Sequence, residues 1–389
     1  MKPDLSPLDT TLGDDCDGYL LDADGTDSTQ RYLSGFDAPD PFVTCYTPDG
    51  VHLLVSGLEY GRAKRAARAD TVDRLSAYDY RERVAELGRA TGRGVVVADF
   101  LAEYGVESVA VPGRFPLGTA DGLRESGVRV RVDESDAVTG IRAVKTDEEI
   151  EHVRRAQRAN ERAMAAAETL LESAAVVGGV LHRDGDPLTS EDVRREIELT
   201  LVRNGCALDE TIVACGADAA DPHDRGSGPL RADEPVVVDI FPRDKETRYH
   251  ADITRTFVRG EPTETLREWF DLTDAARRAA LDAVEPGVTG TAVHDAVCDV
   301  YEDAGVSTLR ADPDAETGFI HSTGHGVGLD VHELPRIAPD GAELEPGNVI
   351  TIEPGLYDPD VGGVRIEDLV VVTEDGHENL TEYPVELIV

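Results

Sequence analysis

Apolar and polar positions are patterned most clearly between Val236 and Asp368, where two strand pairs can be read. Val236-Val237-Val238-Asp239-Ile240 is an apolar run ending in a carboxylate, Pro242 to Arg248 turns the chain, and Asp252-Ile253-Thr254-Arg255-Thr256-Phe257-Val258 alternates as a returning strand. The plan repeats: Asn348 to Glu353 predicts a strand, Pro354-Gly355 and Gly362-Gly363 punctuate the connection, and Val364 to Val370 predicts the return. Between the pairs, Thr323-Gly324-His325-Gly326-Val327-Gly328 reads as a strand whose glycines let another group approach the backbone.

Helical periodicity surrounds these hairpins. Thr146 and Glu149 have capping-box spacing, so a long helix is expected to about Ser173. Others are expected over Ser190–Asn204, stopped by Gly205, over Thr263–Val284, and over Thr291–Ala304, where Val293, Ala296, Val297, Val300 and Tyr301 form one apolar stripe. His294 lies beside that stripe as a surface or packing residue, and Gly178 to Pro187 reads as a surface loop. Helices interleaved with hairpins imply an α+β domain, with helices outside a curved antiparallel sheet.

The first part of the chain has a different rhythm. Gly18–Leu21, Phe42–Tyr46, Val51–Val55, Val95–Ala98 and Val109–Val111 read as strands, Thr47-Pro48-Asp49-Gly50 as a hairpin turn, and Glu59–Ala67 and Arg81–Thr91 as helices. That alternation predicts a smaller α/β domain. The boundary is placed near residues 137–145, dividing the chain into 1–140 and 141–389. His52, just after the turn, is expected to be an ordinary strand residue.

Asp239, Asp252, His325, Glu353 and Glu367 are the candidate chemistry. For any one acid the simpler reading is a surface residue, but Asp239 and Glu353 end apolar runs, where an unpaired charge is expensive. Four gathered carboxylates repel one another, and two divalent cations balance them. Oxygen-dominated ligation with one imidazole suits Mn, Co, Fe or Zn, and such ions can activate water.

These motifs carry a resemblance. Asp239, Ala251-Asp252-Ile253-Thr254-Arg255-Thr256-Phe257, Phe319 to Leu329, Val331-His332-Glu333-Leu334-Pro335-Arg336, Ile352-Glu353-Pro354-Gly355 and Val364-Arg365-Ile366-Glu367-Asp368 resemble the dinuclear metallopeptidases of the pita-bread fold. The likeness is to Xaa-Pro dipeptidases (prolidases) and Xaa-Pro aminopeptidases, and it spans most of residues 141–389. Arg31-Tyr32-Leu33-Ser34-Gly35-Phe36 resembles a segment of the amino-terminal domain of creatinase and prolidase relatives. The resemblance implies hydrolysis of Xaa-Pro bonds in short peptides, with Asp239, Asp252, His325, Glu353 and Glu367 holding two divalent ions, Mn or Co first and Zn or Fe next. It also implies that Glu353 moves a proton to the leaving nitrogen and that His223 and His332, the latter expected on a strand, stabilise the oxyanion. His321, Arg336 and Arg365 become substrate-binding candidates, Arg365 orienting a carboxylate of the site or of the substrate.

Two departures bear on specificity. Asp239-Ile240-Phe241-Pro242-Arg243 stands where many members have glycine two residues after the first aspartate, and the aspartates are 252 − 239 = 13 positions apart. A creatinase-like or methionine-aminopeptidase-like hydrolase, or a catalytically silent peptide-binding module, shares the fold as an alternative.

Composition sets the environment. Acidic residues outnumber basic ones by 78 − 38 = 40 in 389 residues, and only four of the cations are lysine. Such a chain repels nucleic acid, and acids spread through periodic segments suit molar intracellular salt, a halophilic setting. No apolar run is long enough to span a bilayer, and Met1-Lys2-Pro3-Asp4-Leu5-Ser6 lacks the apolar region of a signal peptide, so a cytoplasmic protein is expected. The five cysteines, Cys16, Cys45, Cys206, Cys215 and Cys298, are read as free thiols. A homodimer is a family expectation.

Overall fold

The structure, a computed structural model, describes residues 3–13 and 15–389. Met1 and Lys2, where the amino-terminal reading begins, lie outside them. The chain divides into two compact units, Met1–Arg142 and Ala143–Val389, slightly past the expected boundary.

The first unit is built on a six-stranded sheet of β1 (Gly18–Ala23), β2 (Phe42–Thr47), β3 (Gly50–Val55), β4 (Thr71–Arg74), β5 (Ser108–Pro112) and β6 (Arg129–Asp133), in the order β4-β3-β2-β1-β5-β6. The hairpin turn at Thr47–Gly50 forms as read, with Thr47 paired to Gly50. One expected strand is absent: Val95–Ala98 lies inside helix α1 (Arg89–Glu103). The run is apolar because the helix is covered. Val96, Val97, Phe100 and Leu101 are buried in the core of this unit, and Gly94 lets the helix approach Gly122 of helix α2 (Leu117–Glu125) so closely that a Cβ would collide with its backbone. His52 is buried on β3, hydrogen-bonded to Thr47 and Thr71 and stacked on Tyr104.

The second unit begins with helix α3 (Asp147–Ser173), which carries the full capping box between Thr146 and Glu149. Helix α4 (Ser190–Arg203) packs beside it, and together they bury Ala163, Met164, Ile197 and Leu201 against β7 (Thr211–Cys215), β8 (Val236–Ile240) and β9 (Ile253–Phe257). Helices α5 (Glu264–Ala283) and α6 (Gly290–Asp303) do the same over a five-stranded sheet of β10 (Gly324–Gly326), β11 (Glu333–Ile337), β12 (Val349–Ile352), β15 (Asp368–Thr373) and β16 (Gly376–Asn379), with Val293, Val297 and Tyr301 of the expected stripe in that core. His294 is buried rather than at the surface, bonded to Thr323.

Two local readings change, and the reading of the cysteines holds. The link between Glu353 and Val364 is itself a hairpin, β13 (Gly355–Asp358) and β14 (Gly362–Arg365), so the return strand begins only at Asp368. The expected loop at Gly178–Pro187 lies in an antiparallel meander of Ala175–Val177, Val180–Arg183 and Asp186–Pro187, exposed as a loop would be. All five cysteines are free, four of them buried.

The two sheets of this unit meet edge to edge. Glu367 N–H donates to Thr254 O (3.0 Å), while Thr256 Oγ1 donates to Arg365 O (2.9 Å) and accepts from Arg365 N–H (3.0 Å). Pairing across this seam curves the strands around a common hollow, with the helices outside.

Candidate metal centre

Each half of the curved sheet brings two carboxylates to the hollow. Asp239 sits near the end of β8, opposite Thr254 of β9, and Asp252 lies one residue before β9 begins. Glu353 follows the last residue of β12 and Glu367 precedes the first residue of β15, where Ile352 pairs with Asp368. His325 is the middle residue of β10. Ligating atoms of Asp252, His325 and Glu367 lie within 4.8 Å of one another, and His325 Nε2 is 3.4 Å from Glu353 Oε1.

Asp239 joins through Arg365, whose Nη2 lies 2.6 Å from Asp239 Oδ2. The same guanidinium donates from Nε to Thr254 Oγ1 (3.2 Å) and from Nη1 to Tyr357 Oη (3.0 Å). Thr254 Oγ1 in turn donates to Glu367 Oε2 (2.7 Å), and Thr351 Oγ1 donates to Glu353 Oε1 (3.2 Å).

Burial without sufficient positive charge governs the electrostatics. It pushes the Asp252 carboxyl well above the ordinary range, with Glu367, Asp239 and Glu353 adding repulsion, and does the same to Glu367. Glu353 is pushed up to about 7, again mainly by burial, with Arg365 pulling the other way. His325 is lowered by burial, so its imidazole is neutral.

Its tautomer is set by a neighbour. Nδ1 faces Gly326 O at 3.0 Å, and a carbonyl only accepts, so Nδ1 carries the proton. The Nε2 lone pair is therefore turned toward the carboxylates of Glu353 and Asp252. That contact is repulsive unless a proton or a cation lies between them. Asp239 Oδ1, buried and without a hydrogen-bond partner among the described residues, makes the same demand. The donor set fits divalent metal.

Comparison with known proteins agrees with this chemistry. Residues 151–374 match metallopeptidase family M24, and residues 13–155 match the creatinase/prolidase N-terminal domain. The chain belongs to metallopeptidase family M24. The Xaa-Pro dipeptidase of Pyrococcus furiosus is 33% identical over 288 residues, 72% of this chain and 76% of that protein. Among solved structures, the prolidase from Pyrococcus horikoshii superposes with a TM-score of 0.79 at 26% identity, covering 98% of both chains. The Xaa-Pro dipeptidase from Bacillus anthracis superposes with a TM-score of 0.82 at 25% identity, covering 99% of this chain and 98% of that one. The two-domain M24 architecture, with an amino-terminal creatinase/prolidase domain and a carboxy-terminal pita-bread domain, is thus the architecture of this chain.

Within this M24 site the remaining candidates divide. His332 is exposed and lies in the bend before β11, not on a strand as expected; its ring meets the ring of His325 edge-on at 4.3 Å between centroids. Burial and the neighbouring His325 lower its pKa. His223 is exposed on the loop after β7, its backbone N–H bonded to Asp221. His321 is brought fully into the site: its Nδ1–H donates to Ser322 O, so Tyr357 O–H donates to its Nε2 (3.0 Å), and burial drives its pKa down to about 3. Arg336 is opposite His325 in the β10–β11 register, but its exposed guanidinium pairs with Asp340 and touches none of the candidate ligands.

Tyr357, Thr254 and Thr351 were not singled out from the sequence. Thr254 stands two residues after Asp252 on the same strand face, and Thr351 two before Glu353, so period-2 spacing around the ligands was the signal for both. Tyr357 had none, because its place depends on the β13–β14 hairpin.

Proposed function

We propose that this protein hydrolyses the bond before proline in short peptides, using two divalent ions held by Asp239, Asp252, His325, Glu353 and Glu367, with Mn or Co as the working metals. The observation that carries the reading is a neutral imidazole whose lone pair faces the Asp252 and Glu353 carboxylates, with Glu367 in the same cluster, beside a buried Asp239 oxygen with no partner among the described residues. Bound divalent ions supply Lewis acidity and make water nucleophilic near neutral pH.

The chain's own groups do the rest. Glu353 is assigned to take a proton from water and pass it to the leaving nitrogen. His223 and His332, both exposed, are assigned to donate to the oxyanion. Arg365 holds Asp239, while His321 and Tyr357 line the wall beside it. Arg336, across from His325, is assigned to a free carboxylate of the substrate.

Among the described residues no helix is long and apolar enough to cross a membrane. We assign the protein to the cytoplasm of a salt-loaded cell without nucleic-acid partners, on the basis of its net charge of −40, and as a homodimer on the family resemblance alone.

Hydrolysis of an Xaa-Pro dipeptide against an Xaa-Pro-Xaa tripeptide, in molar KCl with Mn or Co and a chelator control, tests the reading. Chelator-sensitive cleavage of the dipeptide is expected, and preference for the tripeptide would make the protein an aminopeptidase. Cleavage of neither by metal-loaded protein, or cleavage indifferent to chelator, would overturn it.

A further inference from the structure

The five candidate ligands are not held alike. Glu367 accepts from Thr254, Glu353 from Thr351, Asp239 from Arg365, and His325 donates to Gly326 O. Among the described residues nothing hydrogen-bonds the Asp252 carboxylate. It lies just ahead of β9, outside the ladder that pairs Ile253 with Ile240, so its own N–H and C=O are not held by strand pairing either.

A helix supplies what the sheet does not. Gln157 of α3 is fully buried, and its side-chain amide spans the Asp252 backbone: Oε1 accepts the Asp252 N–H (3.3 Å) and Nε2 donates to the Asp252 C=O (3.1 Å). The second Nε2 proton goes to Thr381 Oγ1 (2.9 Å), which also accepts Leu369 N–H (2.9 Å). Leu369 is two residues beyond Glu367. One turn along the helix, Asn160, also fully buried, donates from Nδ2 to Ile240 O (2.6 Å), directly after Asp239.

We propose that Gln157 is a positioning residue of the metal centre, its amide clamping the Asp252 backbone and bracing it against the strand that follows Glu367, with Asn160 as a secondary hold beside Asp239. A side chain with no hydrogen bond of its own points where its backbone points, so the clamp decides where the Asp252 carboxylate sits. Leucine at 157 keeps the volume and removes both ends of the clamp. The inference rests on the proposed assignment of Asp252 as a metal ligand.

The test uses the full chain stripped by chelator and titrated with Co(II), following the visible absorption of the bound ion and the heat of binding. Gln157→Leu is expected to weaken binding by about 10–100-fold and to shift the absorption band. Ile197→Val trims the same core from α4 and controls for lost packing; it is expected to leave both readouts at the wild-type values. Gln157→Leu binding like wild type, while Asp252→Asn loses metal, would refute the clamp and leave the ligand assignment standing. Asp252→Asn binding like wild type would remove the assignment and the inference with it. Should Gln157→Leu fail to fold, Thr381→Val decides, since it keeps the Asp252 contacts and removes the brace. A weakened affinity with a shifted band supports the proposal, and unchanged values overturn it.

Discussion

Arg365 Nη2 lies 2.6 Å from Asp239 Oδ2 with both side chains buried, while Oδ1 of the same carboxylate has no partner among the described residues. One oxygen is held by the protein and the other is left facing the hollow. The guanidinium is thus the fixed positive charge among the candidate ligands, and it also orders Thr254 and Tyr357.

Removing that charge should be felt most without metal. Arg365→Leu strands the Asp239 charge, a loss of about 3–5 kcal/mol for a broken buried pair. Urea unfolding of chelator-treated protein is expected to show a loss of this size, and metal-loaded protein a smaller one. Equal losses in both forms would argue that no cation sits beside Asp239.

Metal removal should invert the pH dependence of stability. Asp252 and Glu367 are raised well above the ordinary carboxyl range, and Glu353 to about 7. An acid whose folded pKa is raised lends stability below its unfolded pKa and loses it as pH rises through the folded value. Chelated protein is therefore expected to melt higher at about pH 5 than at about pH 8, and metal-loaded protein the reverse, because protons compete with metal for the same oxygens. Parallel trends in the two forms would contradict the cluster's role.

Thr254 orients Glu367 through one hydroxyl that also accepts from Arg365. Thr254→Val keeps the shape and removes both bonds; metal affinity should fall by about 10–100-fold. Thr254→Ser should bind like wild type, because the hydroxyl is retained. Isothermal titration with Mn would decide, and equal affinities for the two variants would rule the hydroxyl out.

Behind the His332 bend, Lys145 Nζ lies 3.0 Å from Glu333 Oε2 with both side chains almost fully buried, and Glu333 Oε1 accepts Asp330 N–H. Lys145→Met should lower stability in urea unfolding by removing one charge-assisted partner of the buried Glu333 carboxylate. Adding Glu333→Gln should restore part of that loss, since the amide keeps an acceptor for Asp330 without the charge. A double variant no more stable than the single one would contradict this.

A net charge of −40 makes self-repulsion a large term at low ionic strength, and salt screens it. The thermal midpoint is expected to rise steadily from dilute to molar KCl. A flat or falling profile would remove the argument for a saline cell.

The candidate site was legible in the chain because a carboxylate at the end of an apolar strand is costly without a counter-ion, and Asp239 and Glu353 both stand there. The strand at Val95–Ala98 was misread for the reason that made Asp239 visible: an apolar run says that a segment is buried, not which period buries it. Only packing of α1 against α2 through Gly94 and Gly122 settles that segment as helix.

The sequence by itself carried a boundary within residues 137–145, the capping box that opens α3, the free cysteines and the residue types gathered at the hollow. Caps, turns and periodicity act over a few neighbouring residues, so they are written locally. Tertiary structure alone decided that His332 sits in a bend, that Arg336 pairs with Asp340, that Tyr357 joins His321 to Arg365, and that Gln157 grips Asp252 from 95 positions away. The contacts of Tyr357 and Gln157 are buried hydrogen bonds made across a hairpin or from helix to strand, and no local preference of the chain encodes which buried donor will meet which acceptor.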